Sequence, residues 1–256
     1  MKTLKKALDI LELFLCQEDN PEITPPEELS LTEIAKLSGY DKSTVKRSLT
    51  VLVSYGYLKQ REKRGKYSLG TKFLDFSGLI KRRSKIRHVA LPYLVKLAQL
   101  TRESVILSIL DGQYAAYNET IPSEYPLKIV PDEGTKVPLY CTSVGKVFLA
   151  SMTENDIDNY LKTIELKSYT HNTITHPDYL KAHIATIVRD GIAFEDEEFT
   201  LGVRSVAAGI YDGEKKIVAS VGVIGPSVRL TRSQVTEIIP HLKECALNIS
   251  HELGYD

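Results

Sequence analysis

Residues 30–69 constrain this chain more than any other stretch: two short helical periods joined by a tight turn are followed by two short strands around a basic tip, the element order of a winged helix-turn-helix. The first helix opens on Ser30-Leu31-Thr32-Glu33, where Ser and Glu can satisfy each other's free backbone amides, and Gly39 suits the left-handed residue that ends it. Asp41 is placed to cap the next helix. Along that helix Val45, Leu49, Leu52 and Val53 recur at i, i+4, i+7 and i+8, so one stripe is buried and Ser43, Thr44, Arg47 and Thr50 face outward. Short donor-bearing side chains let a helix approach base edges closely. Arg47 can contact guanine in bidentate fashion, and Lys42 and Lys46 flank it toward phosphates. A solvated polar face is the alternative. After Gly56, strands over 57–61 and 66–69 enclose Glu62-Lys63-Arg64-Gly65, and Lys63 and Arg64 are placed to follow a phosphate backbone or enter a minor groove.

Charge favours the nucleic-acid reading, although 33 Lys and Arg balance 33 Asp and Glu over the whole chain. Residues 1–88 hold 18 basic against 11 acidic residues, and residues 42–87 hold 14 against 2. Such a basic segment is the footprint expected where polyphosphate is bound, and the acidic remainder would stay clear of it.

The 256 residues suffice for two modest domains. The first helix carries Leu4, Leu8, Leu11 and Leu15 on one side but is interrupted by Lys5, Lys6, Asp9 and Glu12, unlike a signal peptide, and no run of 18 apolar residues offers a membrane span. A soluble, cytoplasmic protein without a membrane partner is expected. Cys16, Cys141 and Cys245 are odd in number and widely spaced, which argues for buried thiols rather than a disulfide framework or zinc site. The proline-rich, acidic stretch 17–29 reads as a surface loop.

Residues 71–87 continue as one helix with Phe73, Leu74, Leu79 and Ile80 on its apolar side, ending in the basic run 81–87, and serve as a linker. Beyond a helix over 91–101 the period changes. Strands 104–110 and 113–119 flank Asp111-Gly112, a pair that marks a type I′ hairpin, and strands 204–211 and 216–224 turn at Asp212-Gly213. Helices are expected over 145–151, 154–161, 178–190 and 231–253, the last kinked at Pro240. The reading is α+β: a winged helix-turn-helix (1–70), a linker helix (71–88), and an antiparallel sheet with covering helices (89–256) able to enclose a small ligand.

Nearly the whole chain resembles the IclR (isocitrate lyase regulator) family of transcription factors. The resemblance rests on LTEIA (31–35), KSTVKRSL (42–49), YSLG (67–70) and, more specifically, on GTKVPLYCTSVGKVFLA (134–150), DGIAFEDEEFTLGVRSVAAGIYD (190–212) and VASVGVIGPSVRLT (218–231). It implies a homodimer or tetramer on a pseudo-palindromic double-stranded DNA operator and a GAF-like effector-binding domain that senses a small-molecule metabolite. Independently, Thr142-Ser143-Val144-Gly145-Lys146 lies at a loop-to-helix junction, where free amides suit a carboxylate, so Ser143, Val144 and Gly145 form the anion side, with Leu139 and Cys141 just before them. In family terms the other walls are Glu195, Ser205, Gly222 and Ile224. Gly222 and Ile224 depart from relatives that carry hydroxyls there, which implies a roomier, more apolar wall and a larger acid than one of two or three carbons.

The acidic run 195–198 has an ordinary reading as carboxylates bonded to nearby amides. His171, His176 and His183 are spread over a loop and a helix, and no nucleophile elbow, phosphate loop or dinucleotide fingerprint is present. No metal, no cofactor and no enzyme are therefore expected. Two alternatives stay open: a winged-helix scaffold that binds protein or RNA, and an enzyme using the C-terminal pocket.

Overall fold

Both caps read from the sequence are formed in the computed structural model, which describes residues 2–15, 26–62 and 65–256. Helix α1 (Lys2–Glu12) precedes α2 (Leu31–Ser38) and α3 (Lys42–Ser54). Ser30 N donates to Glu33 Oε2 at 2.7 Å while Glu33 N donates to Ser30 Oγ at 3.3 Å, and Gly39 ends α2 at φ 71°. Asp41 Oδ1 accepts from the amides of Ser43 and Thr44 at 3.0 and 2.9 Å. The core of this unit joins Ile10, Phe14, Ile34, Val45, Leu49, Leu52 and Leu58, each contributing about 1.5–3 kcal/mol by leaving water. Val53 only borders it, and Ser48 is buried.

The inward face of α1 and of the turn that follows it to Leu15 differs from the expected leucine stripe. Ile10 and Phe14 are buried, whereas Leu4, Leu8 and Leu15 are 68%, 50% and 52% exposed. Apolar residues cover more than one face of this segment, so two stripes compete for the core, and the one with Ile10 and Phe14 occupies it. The wing pairs β1 (Leu58–Gln60) with β2 (Tyr67–Leu69), and Leu29 adds a bridge to Tyr67 through bonds of 2.9 and 2.8 Å. Lys63 and Arg64 lie outside the described residues, as does Cys16.

The helix expected to be unbroken over 71–87 is interrupted at Ser84, a residue type that favours helix ends over interiors. Helix α4 (Lys72–Arg83) ends the first compact unit, Met1–Ser84, and α5 (Lys85–Thr101) begins the second, Lys85–Asp256. In the second unit follow β3 (Ser104–Asp111), β4 (Tyr114–Ile121), β5 (Lys136–Pro138), α6 (Ser143–Ala150), α7 (Glu154–Thr163), α8 (Pro177–Asp190), β6 (Ala193–Asp196), β7 (Val203–Tyr211), β8 (Ile217–Pro226) and α9 (Arg232–Glu252). The assigned α9 continues past Pro240.

The six strands form an antiparallel sheet in the order β5-β4-β3-β8-β7-β6. Period-2 alternation sends Val105, Leu107, Val206, Ala208, Val221 and Val223 to the face covered by α5 and α9. Ile106, Ala207 and Ile224 point to the opposite face, where α6, α7 and α8 pack. The fold class expected from the sequence is thus the fold observed. The β3–β4 turn differs in type: Asp111 pairs with Tyr114, so the loop is Gly112-Gln113, and only Gly112 has a positive φ, of 61°. A type I′ turn needs both central residues there, whereas a positive φ at the first alone is the type II′ pattern. No helix among the described residues is long and apolar enough to cross a membrane.

Candidate nucleic-acid interface and effector site

Helix α3 turns Lys42, Ser43, Lys46, Arg47 and Thr50 outward, with Thr44 half-buried at its first turn. The hydroxyls differ from the free donors expected. Ser43 Oγ donates to Asp41 Oδ1 at 2.6 Å, Thr44 Oγ1 to Asp41 Oδ2 at 2.7 Å, and Thr50 Oγ1 to Lys46 O at 2.9 Å. These bonds, that from Ser43 foremost, hold the Asp41 carboxyl well below the usual range. What the three side chains offer outward is lone pairs and methyl groups, and the donors of this face are the cations. Arg47 Nε donates to Ser43 O at 3.4 Å, which leaves its two terminal amino groups unengaged among the described residues. That fork can address guanine, and Lys46 beside it can reach phosphate.

In the second unit the effector candidates gather on one face of the sheet, under α6. Register aligns them in rows: Ser104–Ile224–Ser205–Glu195 runs across β3, β8, β7 and β6, and Ile106–Gly222–Ala207–Ala193 runs beside it. Helix α6 stands over these rows, and Leu139, Cys141, Ser143 and Val144 are all at most 1% exposed. Thr142 caps the helix, its Oγ1 accepting from Gly145 N at 3.2 Å, and Lys146 N bonds to Thr142 O at 2.9 Å. The Gly145 amide is therefore occupied, and the two that carry no hydrogen bond among the described residues are those of Ser143 and Val144. Two buried, unmatched amides at a helix N-terminus have the geometry and polarity that suit anionic oxygen. Gly145 has a packing role instead: a Cβ there would lie 2.6 Å from Leu139 O and 2.7 Å from Thr142 Oγ1.

A hydrogen-bonded chain leads away from these amides. Ser143 Oγ donates to Ser205 Oγ at 2.7 Å, and Ser205 Oγ to Glu195 Oε2 at 2.9 Å. Glu195 Oε1 accepts from the amides of Glu198 and Phe199 at 2.7 and 3.3 Å. Burial nevertheless outweighs these bonds and raises the Glu195 carboxyl to about 7. The expected roominess at Gly222 is absent, because a Cβ there would already meet Val144 Cγ1 at 3.1 Å and Ile106 Cγ1 at 3.3 Å. The missing side chain lets α6 press on the sheet rather than leaving open space. Ile224, 7% exposed, remains an apolar wall.

The acidic run is fully engaged. Asp196 pairs with Arg204 and Arg232, Glu197 Oε2 accepts from Gly202 N at 2.8 Å, and Glu198 meets Lys146 Nζ at 2.5 and 2.6 Å. Lys146 has no exposed surface, and its Nζ also lies 3.4 Å from His183 Nε2. Desolvation first, and the Lys146 charge second, lower His183 to about 4, so its ring is neutral near pH 7. Sequence reasoning missed this pair. A lysine inside the apolar segment VGKVFLA was the available signal, since a buried cation demands a buried partner. Tyr117, on the same face of the sheet and 7% exposed, was also missed. A separate groove of about 480 Å³, lined in part by Met152, Ile157, Asp158, Lys181 and Val188, shares no residue with this site, and its Lys181 is paired with Asp158.

Residues 3–62 match the IclR helix-turn-helix domain, and residues 80–251 match the bacterial transcriptional regulator IclR C-terminal domain. The chain is 31% identical over 254 residues to the HTH-type transcriptional regulator KipR of Bacillus subtilis, covering 99% of this chain and 98% of that one. The crystal structure of Thermotoga maritima IclR superposes with a TM-score of 0.78 at 33% identity over 100% of both chains. An IclR homologue from Microbacterium hydrocarbonoxydans, crystallised in complex with 4-hydroxybenzoate, has the same fold at TM-score 0.81 and 22% identity, over 98% of each chain. Matched in both of its units and along its full length, the chain belongs to the IclR family of transcriptional regulators, DNA-binding proteins with a ligand-binding C-terminal domain.

Proposed function

We propose that this protein regulates transcription in the cytoplasm by reading a pseudo-palindromic duplex through α3 and the wing, and that a small organic acid modulates this binding from the site under α6. The observation that carries the acid is the pair of unmatched, buried amides of Ser143 and Val144. A carboxylate there completes both, and the Ser143–Ser205–Glu195 chain, with Leu139, Cys141, Gly222 and Ile224, shapes the remainder of the site. The ligand of the Microbacterium homologue, 4-hydroxybenzoate, belongs to this chemical class. In this reading Cys141 is a wall of the site and not a nucleophile, since burial pushes its thiol well up, away from a reactive thiolate. Residues 1–70 read DNA, 71–88 connect and 89–256 sense. Leu4 and Leu8 on α1 and Leu15 in the turn after it, with Leu74 and Leu79 on α4 at 71% and 43% exposure, give a second copy apolar surface to cover in a homodimer or a tetramer of two dimers. Two-fold symmetry sets half-sites about one helical turn apart, or multiples of it. Ligand shifts the DNA-binding equilibrium only through unequal affinity for two conformations.

The test compares Ser143→Pro with Ser143→Ala, screened against organic acids by thermal shift and calorimetry on the full chain. Proline is accepted in the first helical position but removes one amide, and Thr142 already has the extended backbone (φ −123°, ψ 147°) that precedes proline. Ser143→Ala keeps the amide. Loss of at least about tenfold in affinity for the proline variant alone is expected for one charge-assisted bond. Wild-type affinity in Ser143→Pro overturns the site.

A further inference from the structure

One polar group on the α6 side of the sheet is left without a partner while facing accessible space. Tyr117 lies on β4, paired in register with Ser108 on β3, which pairs in turn with Ser220 on β8. This row runs parallel to the two that hold Glu195, Ser205, Ile224 and Gly222. Ser220 Oγ donates to Val144 O at 3.3 Å, which fixes the row to the α6 side of the sheet. Tyr117 is 7% exposed, and its hydroxyl makes no hydrogen bond among the described residues. Among the described residues the sealed side-chain atoms without partners are Ser108 Oγ and Asn118 Oδ1, whereas the Tyr117 oxygen still borders accessible space. A buried phenol normally finds a partner. The Tyr117 ring belongs to the same buried cluster as Leu139, Cys141 and Val144, and desolvation, with the charges of Glu195 and Cys141 adding to it, raises the phenol above its usual range.

We infer that Tyr117 is a specificity-determining residue whose hydroxyl bonds a second polar group on the effector, so that the ligand class is an organic acid carrying a hydroxyl remote from its carboxylate. The inference rests on the acid-binding reading of the α6 site. With the carboxylate at the Ser143 and Val144 amides, the ligand extends along the sheet toward β4, and Tyr117 completes its hydrogen bond at the far end. An acid without the hydroxyl leaves that phenol unpaired and binds more weakly.

The experiment is calorimetry on full-length protein with matched pairs of acids: 4-hydroxybenzoate and benzoate, then 4-hydroxyphenylacetate and phenylacetate, then 4-hydroxybutyrate and butyrate. Wild type should prefer the hydroxylated member of at least one pair by about tenfold, the worth of one hydrogen bond. Tyr117→Phe should erase that preference and leave affinity for the unhydroxylated member unchanged. A preference that survives in Tyr117→Phe, or equal binding of both members by wild type, overturns the assignment. Acids that bind, lose affinity in Ser143→Pro and are indifferent to Tyr117→Phe overturn it while leaving the α6 site standing. If no acid of any pair binds, the acid-binding reading fails and takes this inference with it.

Discussion

Replacing Glu195 by Gln should change how stability depends on pH, because the structure makes this carboxyl a proton-binding group of the folded state. Its folded pKa is raised to about 7 from an ordinary 4.5. Between these values the native chain holds a proton that the unfolded chain has released, so stability is full below about pH 4.5 and is lost as pH rises through about 7. The difference corresponds to about 3 kcal/mol of stability missing at pH 8. Gln fits the same bonds: its oxygen can accept from the Glu198 and Phe199 amides, and its nitrogen can donate to Ser205 Oγ, which then passes its own proton to Ser143. His183 runs the other way. Lowered to about 4, it contributes stability that is present above its ordinary 6.5 and lost as pH falls through 4, but it is common to both proteins and cancels in the difference. Urea denaturation of wild type and Glu195→Gln from pH 5 to pH 8 measures that difference. The variant should gain about 2.5 kcal/mol on wild type across this range, since part of the loss already falls below pH 5. Parallel curves would refute the assignment of a protonated, buried Glu195.

Two further outcomes follow from other residues. Glu198→Gln leaves the fully buried Lys146 ammonium without its counter-charge and should cost about 3–5 kcal/mol in chemical denaturation, whereas Lys146→Met combined with Glu198→Leu should recover most of that loss. Arg47→Ala should weaken specific duplex binding by about 1–3 kcal/mol in gel-shift titrations and relax base preference at one position per half-site, while a variant with unchanged affinity and preference would remove α3 from the interface.

The elements most legible in the sequence were those set by local rules. Ser30, Gly39 and Asp41 specify helix ends through side chains and backbone a few residues away, and each forms the bond or dihedral expected of it. The alternating strands of the two long hairpins are equally local. The edge strands Lys136–Pro138 and Ala193–Asp196 were not legible, since three or four residues are too few to display a period. On α1 the pattern itself was ambiguous, because two apolar stripes satisfy the helical repeat and only the packing of Ile10 and Phe14 decides between them. The anion side of the candidate site was legible as a capped junction at Thr142. The accounting of its amides was not, because Gly145 is withdrawn by the cap. Tyr117, Lys146 and Glu198 meet their surroundings only through contacts between residues distant in sequence, and no local pattern announces such meetings.

The central claim, that α3 and the wing of a symmetric assembly read duplex DNA, is tested most directly by selecting sequences from a random duplex library with the full-length protein. Enrichment of two inverted half-sites, with centres about one helical turn or a multiple of it apart, is the expected result. Recovery of no preferred sequence, or of a single unpaired half-site, would contradict it.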